Sequence, residues 1–169
     1  MKQKLYTSIG LMSGTSMDGV DISIIQSDGQ HEFYNILDEY YEYDLDLKKE
    51  LIRLRNLVLS QNDLLKNSEE LRNLERKITV FHAEKIRHAL LEYKNEIDLI
   101  GFHGQTILHN PQKKITKQLG DGKLLSQLLK KKVVYDFRQK DIENGGQGAP
   151  LTPIYHYLLS SIINQKFKT

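Results

Sequence analysis

Two short apolar runs, residues 5–11 and 20–25, stand on either side of a polar segment near the start of the chain. Apolar runs of this length beside glycine and aspartate are typical of β-strands joined by a turn. The sequence therefore predicts a β-hairpin with a tip made of Ser13, Gly14, Thr15, Ser16, Asp18 and Gly19. Such a tip can bind phosphate oxygens, because glycine lets backbone amides approach an anion closely. The alternative is an ordinary polar turn, since the same residue types favour turns for conformational reasons alone.

The rest of the chain alternates predicted strands and helices. A third strand is predicted at residues 33–43, where tyrosine and phenylalanine are frequent. The spacing of apolar residues predicts helices at 46–59, 68–93, 122–129 and 152–163, strands at 97–102 and 133–137, and a small hairpin of 107–109 with 115–119. This pattern predicts an α/β fold with a mixed sheet and flanking helices. The order β-β-β-α-β-α-β is that of the ribonuclease-H-like half shared by actin, hexokinase and related sugar kinases.

Composition excludes several classes of protein. The chain has 169 residues, enough for one domain with a sizeable core, and its lack of cysteine excludes disulfides and thiolate metal sites. No apolar segment approaches the ~18 residues of a membrane span, and the first residues do not resemble a signal peptide, so a cytoplasmic protein is expected. The net charge is only +2, and the lysine clusters at 113–114 and 130–132 lack interleaved aromatic residues, so no nucleic-acid partner is predicted.

Four segments carry a resemblance to a known family. In chain order they are GLMSGTSMDGVD at residues 10–21, IGFHGQTILH at 100–109, GDG at 120–122 and YDFRQKDIENGGQGAPLTP at 135–153. Together they resemble anhydro-N-acetylmuramic acid kinase, a family of cytoplasmic enzymes of bacterial cell-wall recycling. The resemblance covers essentially the whole chain but only about the first half of the family's length. It implies a single amino-terminal lobe at residues 1–169, with the second lobe of the family not present.

The resemblance implies a sugar kinase that uses ATP with Mg²⁺. Members of the family phosphorylate O6 of 1,6-anhydro-N-acetylmuramic acid and add water across the anhydro bridge, which gives N-acetylmuramic acid 6-phosphate. Asp18 and Asp21 would repel phosphate, so a position beside Mg²⁺ through water is expected for one of them. The alternative for Asp21 is a turn or strand-end carboxylate. The implied phosphate loop consists of Gly14, Thr15, Ser16, Met17, Asp18, Gly19, Val20 and Asp21.

Asp141 is the implied general base. It matches the second aspartate of the family's D-F-R-x-x-D pattern. It is predicted on a loop beyond the C-terminal end of a buried strand, where open α/β sheets bind ligands. There it would take a proton from the water that attacks the anomeric carbon. The alternative is a carboxylate that caps a helix or a turn.

The resemblance also implies sugar contacts. Gly104, after a predicted buried strand, permits close backbone approach, and Gln105 both donates and accepts hydrogen bonds. The implied substrate residues are His103, Gly104, Gln105, Thr106, Arg138, Gly146 and Gln147. A lone histidine near a strand end is more often structural, so His103 counts only together with its neighbours.

Other polar residues leave alternatives open. Arg138 either binds a carboxylate or phosphate with two hydrogen bonds or forms an ion pair with Asp136. Residues 145–150 either close over the sugar as a glycine loop or form a plain turn before the last helix. His82 and His88 lie six residues apart on a predicted helix, so they do not share a face and are poor metal ligands.

Three functional interpretations remain for a chain of this length. It is the amino-terminal part of an active kinase, alone or with a separately encoded second lobe; or a folded remnant without activity; or a binding module for an anhydro-amino sugar or a peptide. The last predicted helix bears on this choice, because exposure of its apolar face would favour self-association or an absent partner. That face consists of Ile154, Tyr157, Leu158 and Ile162.

Overall fold

A mixed β-sheet of six strands forms the centre of the protein within the described residues. The computed structural model describes the backbone of residues 4–166 and the side chains of residues 4–161. The strands are β1 (Tyr6–Ser13), β2 (Gly19–Ser27), β3 (Phe33–Glu42), β4 (Leu99–Asn110), β5 (Ile115–Leu119) and β6 (Val133–Tyr135). Their order is β3-β2-β1-β4-β5, and β6 pairs with the first part of β4.

The sheet contains both antiparallel and parallel pairs. β1, β2 and β3 pair antiparallel, which confirms the predicted N-terminal hairpins. β1 then pairs in parallel with β4, and β4 in parallel with β6. Parallel strands point the same way, so the chain leaves β1 and β6 at the same edge of the sheet. The candidate site lies at that edge.

Six helices flank the sheet in the described part of the chain. They are α1 (Leu45–Leu57), α2 (Gln61–Lys66), α3 (Ser68–Glu92), α4 (Gly122–Leu129), α5 (Phe137–Glu143) and α6 (Pro153–Lys166). The side chains of Asp44, Ser60 and Asp121 cap the N-termini of α1, α2 and α4. No helix within residues 4–166 is long and apolar enough to cross a lipid bilayer. The mixed sheet with flanking helices confirms the predicted fold class.

The alternation of side chains along β1 separates the two faces of the sheet. Ile9 and Leu11 are buried against α3 and α4, whereas Gly10 and Met12 are exposed on the opposite face. A second apolar cluster joins α1 and α3 beneath the β1–β2 connection, and Leu74 at its centre is fully buried. One face of the sheet is therefore closed by the core, and the other is open near the strand ends.

β4 is one continuous strand, although the sequence predicts two separate segments. The strand continues because Gly104 adopts φ +72° at a shift in the pairing of β4 with β1. A Cβ at Gly104 would lie 2.5 Å from the carbonyl oxygen of Leu119, so glycine also permits the close approach of β5. The predicted strand end at residue 102 is therefore wrong, and residues 103–106 lie inside a strand.

The region after β6 differs most from the sequence prediction. β6 ends at Tyr135 instead of residue 137, and it is not buried, since Val134 is 49% exposed. A short helix, α5, follows at once, so Asp141 lies on a helix and not on the predicted loop. The short helix α2 was not predicted. Both helices have six or seven residues, too few for their apolar spacing to be recognised.

The predicted apolar face of the last helix is partly exposed. Ile154 is 86% and Tyr157 is 75% exposed, whereas Leu158 is half-buried. α6 is held near β3 by an edge-to-face contact between Phe33 and Tyr155, with ring centroids 5.2 Å apart. The side chain of Ile162 lies outside the described residues.

Substitution of Leu74 by alanine should lower the free energy of unfolding by about 2–5 kcal/mol, because it leaves a cavity in the second apolar cluster. Leu91 lies on the same helix but is 70% exposed, so Leu91→Ala is the matched control and should change stability by about 0.5 kcal/mol or less. Urea unfolding measures both values. Equal effects of the two substitutions would contradict the assignment of this core.

Candidate functional site

The predicted phosphate loop begins with residues 14–18, which connect β1 and β2. The backbone N–H of Met17 donates to the carbonyl oxygen of Gly14 at 3.2 Å and closes a turn around Thr15 and Ser16. Met17 adopts φ +58°, and its side chain is fully buried beneath the turn. Thr15 and Ser16 are exposed, and no acceptor within residues 4–161 takes their backbone amides. Two amides at the tip can therefore bind an anion.

Donors from neighbouring elements occupy the carbonyl groups of this turn. The side-chain amide of Gln105 on β4 donates to the Gly14 carbonyl oxygen at 2.9 Å. Arg55 on α1 donates to the Thr15 carbonyl oxygen at 3.2 Å. Because the carbonyl oxygens of Gly14 and Thr15 are paired within the protein, N–H and hydroxyl donors are the groups that these two residues and Ser16 offer at the tip. This is the polarity that a phosphate requires.

A chain of buried hydrogen bonds lies under the start of the loop. The hydroxyl oxygen of Ser13 is 2.8 Å from the Tyr43 hydroxyl and 3.2 Å from Nε2 of His82. Nδ1 of His82 is 2.7 Å from the carbonyl oxygen of Ile78. Since a carbonyl oxygen only accepts, Nδ1 carries the proton and Nε2 accepts from Ser13. Burial lowers the pKa of His82 to about 4, so the imidazole is neutral near pH 7.

A cleft of about 980 Å³ opens on the face of the sheet opposite the core. Met12, two residues before Gly14, forms part of its lining. His103 of β4 and the α5 residues Arg138 and Asp141 form other parts, and residues 149–152 close one side. The cleft thus brings together the base of the phosphate loop and the D-F-R-x-x-D segment, although these are distant in the chain.

The backbone that follows α5 orients the Asp141 carboxylate. Its Oδ2 accepts a hydrogen bond from the backbone N–H of Gly148 at 2.7 Å. A Cβ at Gly146 would lie 2.1 Å from the same oxygen, so only glycine fits there while the carboxylate keeps its place. Within the described side chains, no donor binds Oδ1. Asp141 therefore has one oxygen held by the protein and a second one without a donor among the described residues.

Arg138 crosses the cleft and connects three segments. Its Nε donates to Nε2 of His103 at 2.8 Å, and one terminal nitrogen donates to the carbonyl oxygen of Gly148 at 2.6 Å. Burial lowers the pKa of His103, and the adjacent Arg138 cation lowers it further. The structure shows no ion pair of Arg138 with Asp136 among the described residues. Arg138 thus organises the cleft, and its remaining guanidinium N–H donors can still contact a ligand.

The H-G-Q-T residues do not all reach the cleft. His103 forms part of its lining, but Gln105 is fully buried and contacts the phosphate loop. The Oε1 atom of Gln105 has no partner within residues 4–161. Thr106 accepts a hydrogen bond from Gln118 of β5 at 3.3 Å, and Gly104 is buried against β5. Both ring nitrogens of His103 are paired, Nδ1 with the carbonyl oxygen of Gly104 at 2.7 Å and Nε2 with Arg138, so only its ring can contact a ligand in the cleft. The geometry gives no support for a ligand contact by the other three residues.

The residues of the predicted phosphate loop also divide into two groups. Met17 and Val20 are fully buried, and a Cβ at Gly19 would lie 2.2 Å from the carbonyl oxygen of Tyr41. These residues determine the loop conformation through buried contacts. The residues within reach of a ligand are Gly14, Thr15, Ser16, Asp18 and Asp21. In the glycine-rich segment after α5, Gly146 and Gln147 are exposed beside Asp141.

The carboxylates beside the loop can accommodate a metal that arrives with phosphate. Asp18 forms an ion pair with Lys48, and that contact, with a smaller one from Ser16, lowers the pKa of Asp18. Asp21 is exposed and lies directly across from Met12 in the β1–β2 pair, so both side chains are on the open face of the sheet. No cluster of three ligating side chains exists within the described residues. Asp21 therefore fits a water-mediated contact to Mg²⁺ better than a complete protein cage.

Several residues that position the site were not predicted from the sequence. They are Tyr43, Lys48, Arg55 and His82. One signal was present for His82, since it lies four residues after Ile78 and four before Ile86, in the apolar row of α3. A histidine in such a row must find a buried partner. The remaining contacts join residues that are distant in sequence.

Acid should destabilise the protein through His82. Its pKa is about 4 in the folded protein against its usual 6.5, so the unfolded chain gains a proton first as the pH falls. The free energy of unfolding should therefore decrease by about 2 kcal/mol between pH 7 and pH 5. Urea unfolding at the two pH values measures this change.

Two controls test the assignment to this histidine. His82→Asn removes the titrating group and should flatten the fall between pH 7 and pH 5. In the unaltered protein, the NMR signals of the His82 ring should not change over that interval. A ring that titrates above pH 5 would contradict the buried neutral state.

Comparison with known proteins identifies the family of this chain. A family model described as anhydro-N-acetylmuramic acid kinase matches residues 6–167. A protein of that name from Pelagibacter ubique is 57% identical over 163 residues, covering 96% of this chain and 43% of the relative. One from Agrobacterium fabrum is 40% identical over 169 residues, covering 98% of this chain and 45% of the relative. The chain spans less than half the length of these curated relatives. It belongs to the anhydro-N-acetylmuramic acid kinase family.

Proposed function

We propose that this chain is the amino-terminal lobe of a kinase that phosphorylates O6 of 1,6-anhydro-N-acetylmuramic acid with ATP and opens the anhydro ring with water. The observation that carries the proposal is the shared cleft, in which Met12 at the base of the phosphate loop and Asp141 line one space. Family membership supports a kinase for this sugar, since the matched relatives are named anhydro-N-acetylmuramic acid kinase. The product would be N-acetylmuramic acid 6-phosphate, and we assign the activity to the cytoplasm, where ATP is available.

The loop between β1 and β2 would bind the terminal phosphates of ATP. The amides of Thr15 and Ser16 and their hydroxyl groups supply donors, while the Gly14 carbonyl is turned inward by Gln105. Phosphoryl transfer depends chiefly on positioning and on stabilisation of charge, so donors held before the ligand arrives are well suited to it. Asp21 would hold Mg²⁺ through water, and the ion would neutralise charge on the phosphates.

Asp141 would act on the sugar. The oxygen of a water molecule bonds to the anomeric carbon, the bond from that carbon to O6 breaks, and O6 bonds to the γ-phosphorus as ADP leaves. Oδ1 of Asp141 accepts the proton released by the water, while Gly148 keeps Oδ2 in place. His103 and Arg138 line the same cleft and would orient the sugar, with the exposed residues Gly146 and Gln147 beside it.

Turnover is expected to require a second lobe. The cleft is open, and phosphoryl transfer needs exclusion of water from the reacting phosphate. A further segment of polypeptide would supply that second lobe, as the greater length of the relatives suggests. The second candidate is a sugar-binding module without turnover, which the intact cleft lining favours.

A coupled assay for ADP release, with anhydro-sugar and Mg-ATP, distinguishes these functions. Turnover by the chain, alone or with a polypeptide equivalent to the second half of a relative, would support the kinase. Calorimetric binding of the sugar without turnover under either condition would support the binding module. Absence of both signals would contradict the proposed function.

With the second-lobe polypeptide present, or in any condition in which the unaltered chain turns over, Asp141→Asn should abolish ADP release. Sugar affinity should stay within a few-fold, because the amide keeps the shape of the carboxylate but cannot take up the proton. A positioned base contributes about 10²–10⁴ in rate. Glu143→Gln is the matched control, since Glu143 is exposed on the same helix and should be neutral. Turnover that survives in Asp141→Asn would refute the base assignment.

Gly14→Val should weaken the binding of ATP at least tenfold and leave sugar affinity unchanged. A Cβ at Gly14 meets only the Ser16 hydroxyl, at 3.5 Å, so the chain still folds, but the larger side chain would occupy the phosphate side of the turn. Gly10→Val is the control, because Gly10 lies on β1, the strand before the loop, with open space around it. Calorimetry with a non-hydrolysable ATP analogue measures both, and equal affinities would show that phosphate binds elsewhere.

A further inference from the structure

Three polar side chains lie where the core is otherwise apolar, directly beneath the phosphate loop. Ser13 is 1% exposed, His82 is fully buried and Tyr43 is 5% exposed. Their neighbours are aromatic: Tyr43 packs edge-to-face on Phe81, and His82 lies 5.1 Å from the ring of Phe102. Buried polar groups weaken a core unless every one of them is paired. Their position under a loop therefore requires an explanation beyond packing.

The direction of each hydrogen bond in the chain follows from the acceptor at its end. The Ile78 carbonyl takes the proton of His82 Nδ1, which leaves Nε2 as an acceptor. Ser13 must then donate to Nε2, and its oxygen accepts from the hydroxyl of Tyr43. The order is Tyr43 to Ser13 to His82 to Ile78, with one proton between each pair. In such a chain only one arrangement of donors and acceptors pairs every group, so the orientation of each side chain is fixed.

Tyr43 also holds the other arm of the loop. Its backbone N–H donates to the carbonyl oxygen of Asp18 at 2.8 Å. Its hydroxyl reaches Ser13, the last residue of β1, immediately before Gly14. Tyr43, which directly follows β3, thus hydrogen-bonds to residues on both sides of the turn. α3 anchors the same chain through His82.

We propose that Tyr43, Ser13 and His82 are positioning residues that set how the phosphate loop leaves β1, and so align its tip amides with the nucleotide phosphates. The inference deepens the proposed function and rests on nucleotide binding at this loop. None of the three side chains reaches a ligand, because all are buried. They would act through the turn closed by Met17 and Gly14.

Apolar side chains in place of these three hydrogen-bonded groups would give the folded protein about the same stability. Exchange of a buried paired group and its partner for apolar residues is often neutral for folding. Apolar contacts do not fix the direction in which the backbone leaves β1, since they tolerate small rotations of the strand end. A phosphate contact through backbone amides requires such a direction, because hydrogen bonds weaken when donor and acceptor are misaligned.

The test compares Tyr43→Phe with Tyr93→Phe in the full chain. Both substitutions remove one buried hydroxyl, but that of Tyr93 has no partner within the described residues. Tyr93 directly follows α3, and its backbone is about 16 Å along the helix axis from that of His82. Binding of adenylyl imidodiphosphate with Mg²⁺ is measured by calorimetry. Tyr43→Phe should weaken affinity about threefold and Ser13→Ala about tenfold, with Tyr93→Phe unchanged. The double variant Tyr43→Phe with Ser13→Ala should lose no more than Ser13→Ala alone, since the hydroxyl acts through Ser13.

A second measurement is independent of nucleotide. The exchange rate of the Met17 amide, followed by NMR, should rise at least fivefold in Tyr43→Phe and remain unchanged in Tyr93→Phe. If the unaltered protein fails to bind the analogue, the proposed function falls, and the Met17 amide alone decides whether the chain positions the loop. If Tyr43→Phe and Ser13→Ala match Tyr93→Phe in affinity, or the Met17 amide does not respond, the positioning role is overturned.

Discussion

The parallel pairing of β1 with β4 is the contact on which the candidate site depends. It sets Gly10 beside Gly101 and Leu11 beside Phe102, so the phosphate loop begins next to the H-G-Q-T segment. Because β6 pairs in parallel with β4 in turn, the helix that carries Asp141 starts at the same edge of the sheet. Ligands in open α/β sheets bind outside the carboxyl ends of the strands. Backbone hydrogen bonds between strands therefore bring the loop and the aspartate together.

The loop itself has little regular structure, and contacts with the residues packed beneath it determine its conformation. Met17 fills the apolar cluster under the turn, while Gln105 and Arg55 take its carbonyl groups. The buried chain from Tyr43 to His82 lies beneath its first residue. Donors fixed before a ligand arrives need no reorganisation when charge develops on it, which is the physical basis of electrostatic catalysis. The same arrangement explains why some residues of the loop motif never reach a ligand.

The parts of the fold that were predicted correctly are those determined by neighbours in the chain. The hairpin of β1 and β2, the long helix α3 and the helix capped by Asp121 each follow from local spacing and capping. The errors fall where distant contacts override that pattern. β4 runs on through Gly104 because β5 packs against it, and α5 forms where a loop was predicted. The burial of Gln105 could not be predicted either, since its hydrogen bond to Gly14 depends on the pairing of β4 with β1; its contact with sugar stays a prediction.

The sequence by itself determined the family, the α/β class and the set of residue types that phosphate and sugar chemistry needs, because motifs and periodicity are written in consecutive residues. Only the tertiary structure decided which of those residues lie at the cleft and which support it from within. Whether a strand residue faces the core or the ligand depends on the pairing register, and a shift of one residue exchanges the two faces. That register is settled by contacts between segments distant in the chain, which local patterns do not record.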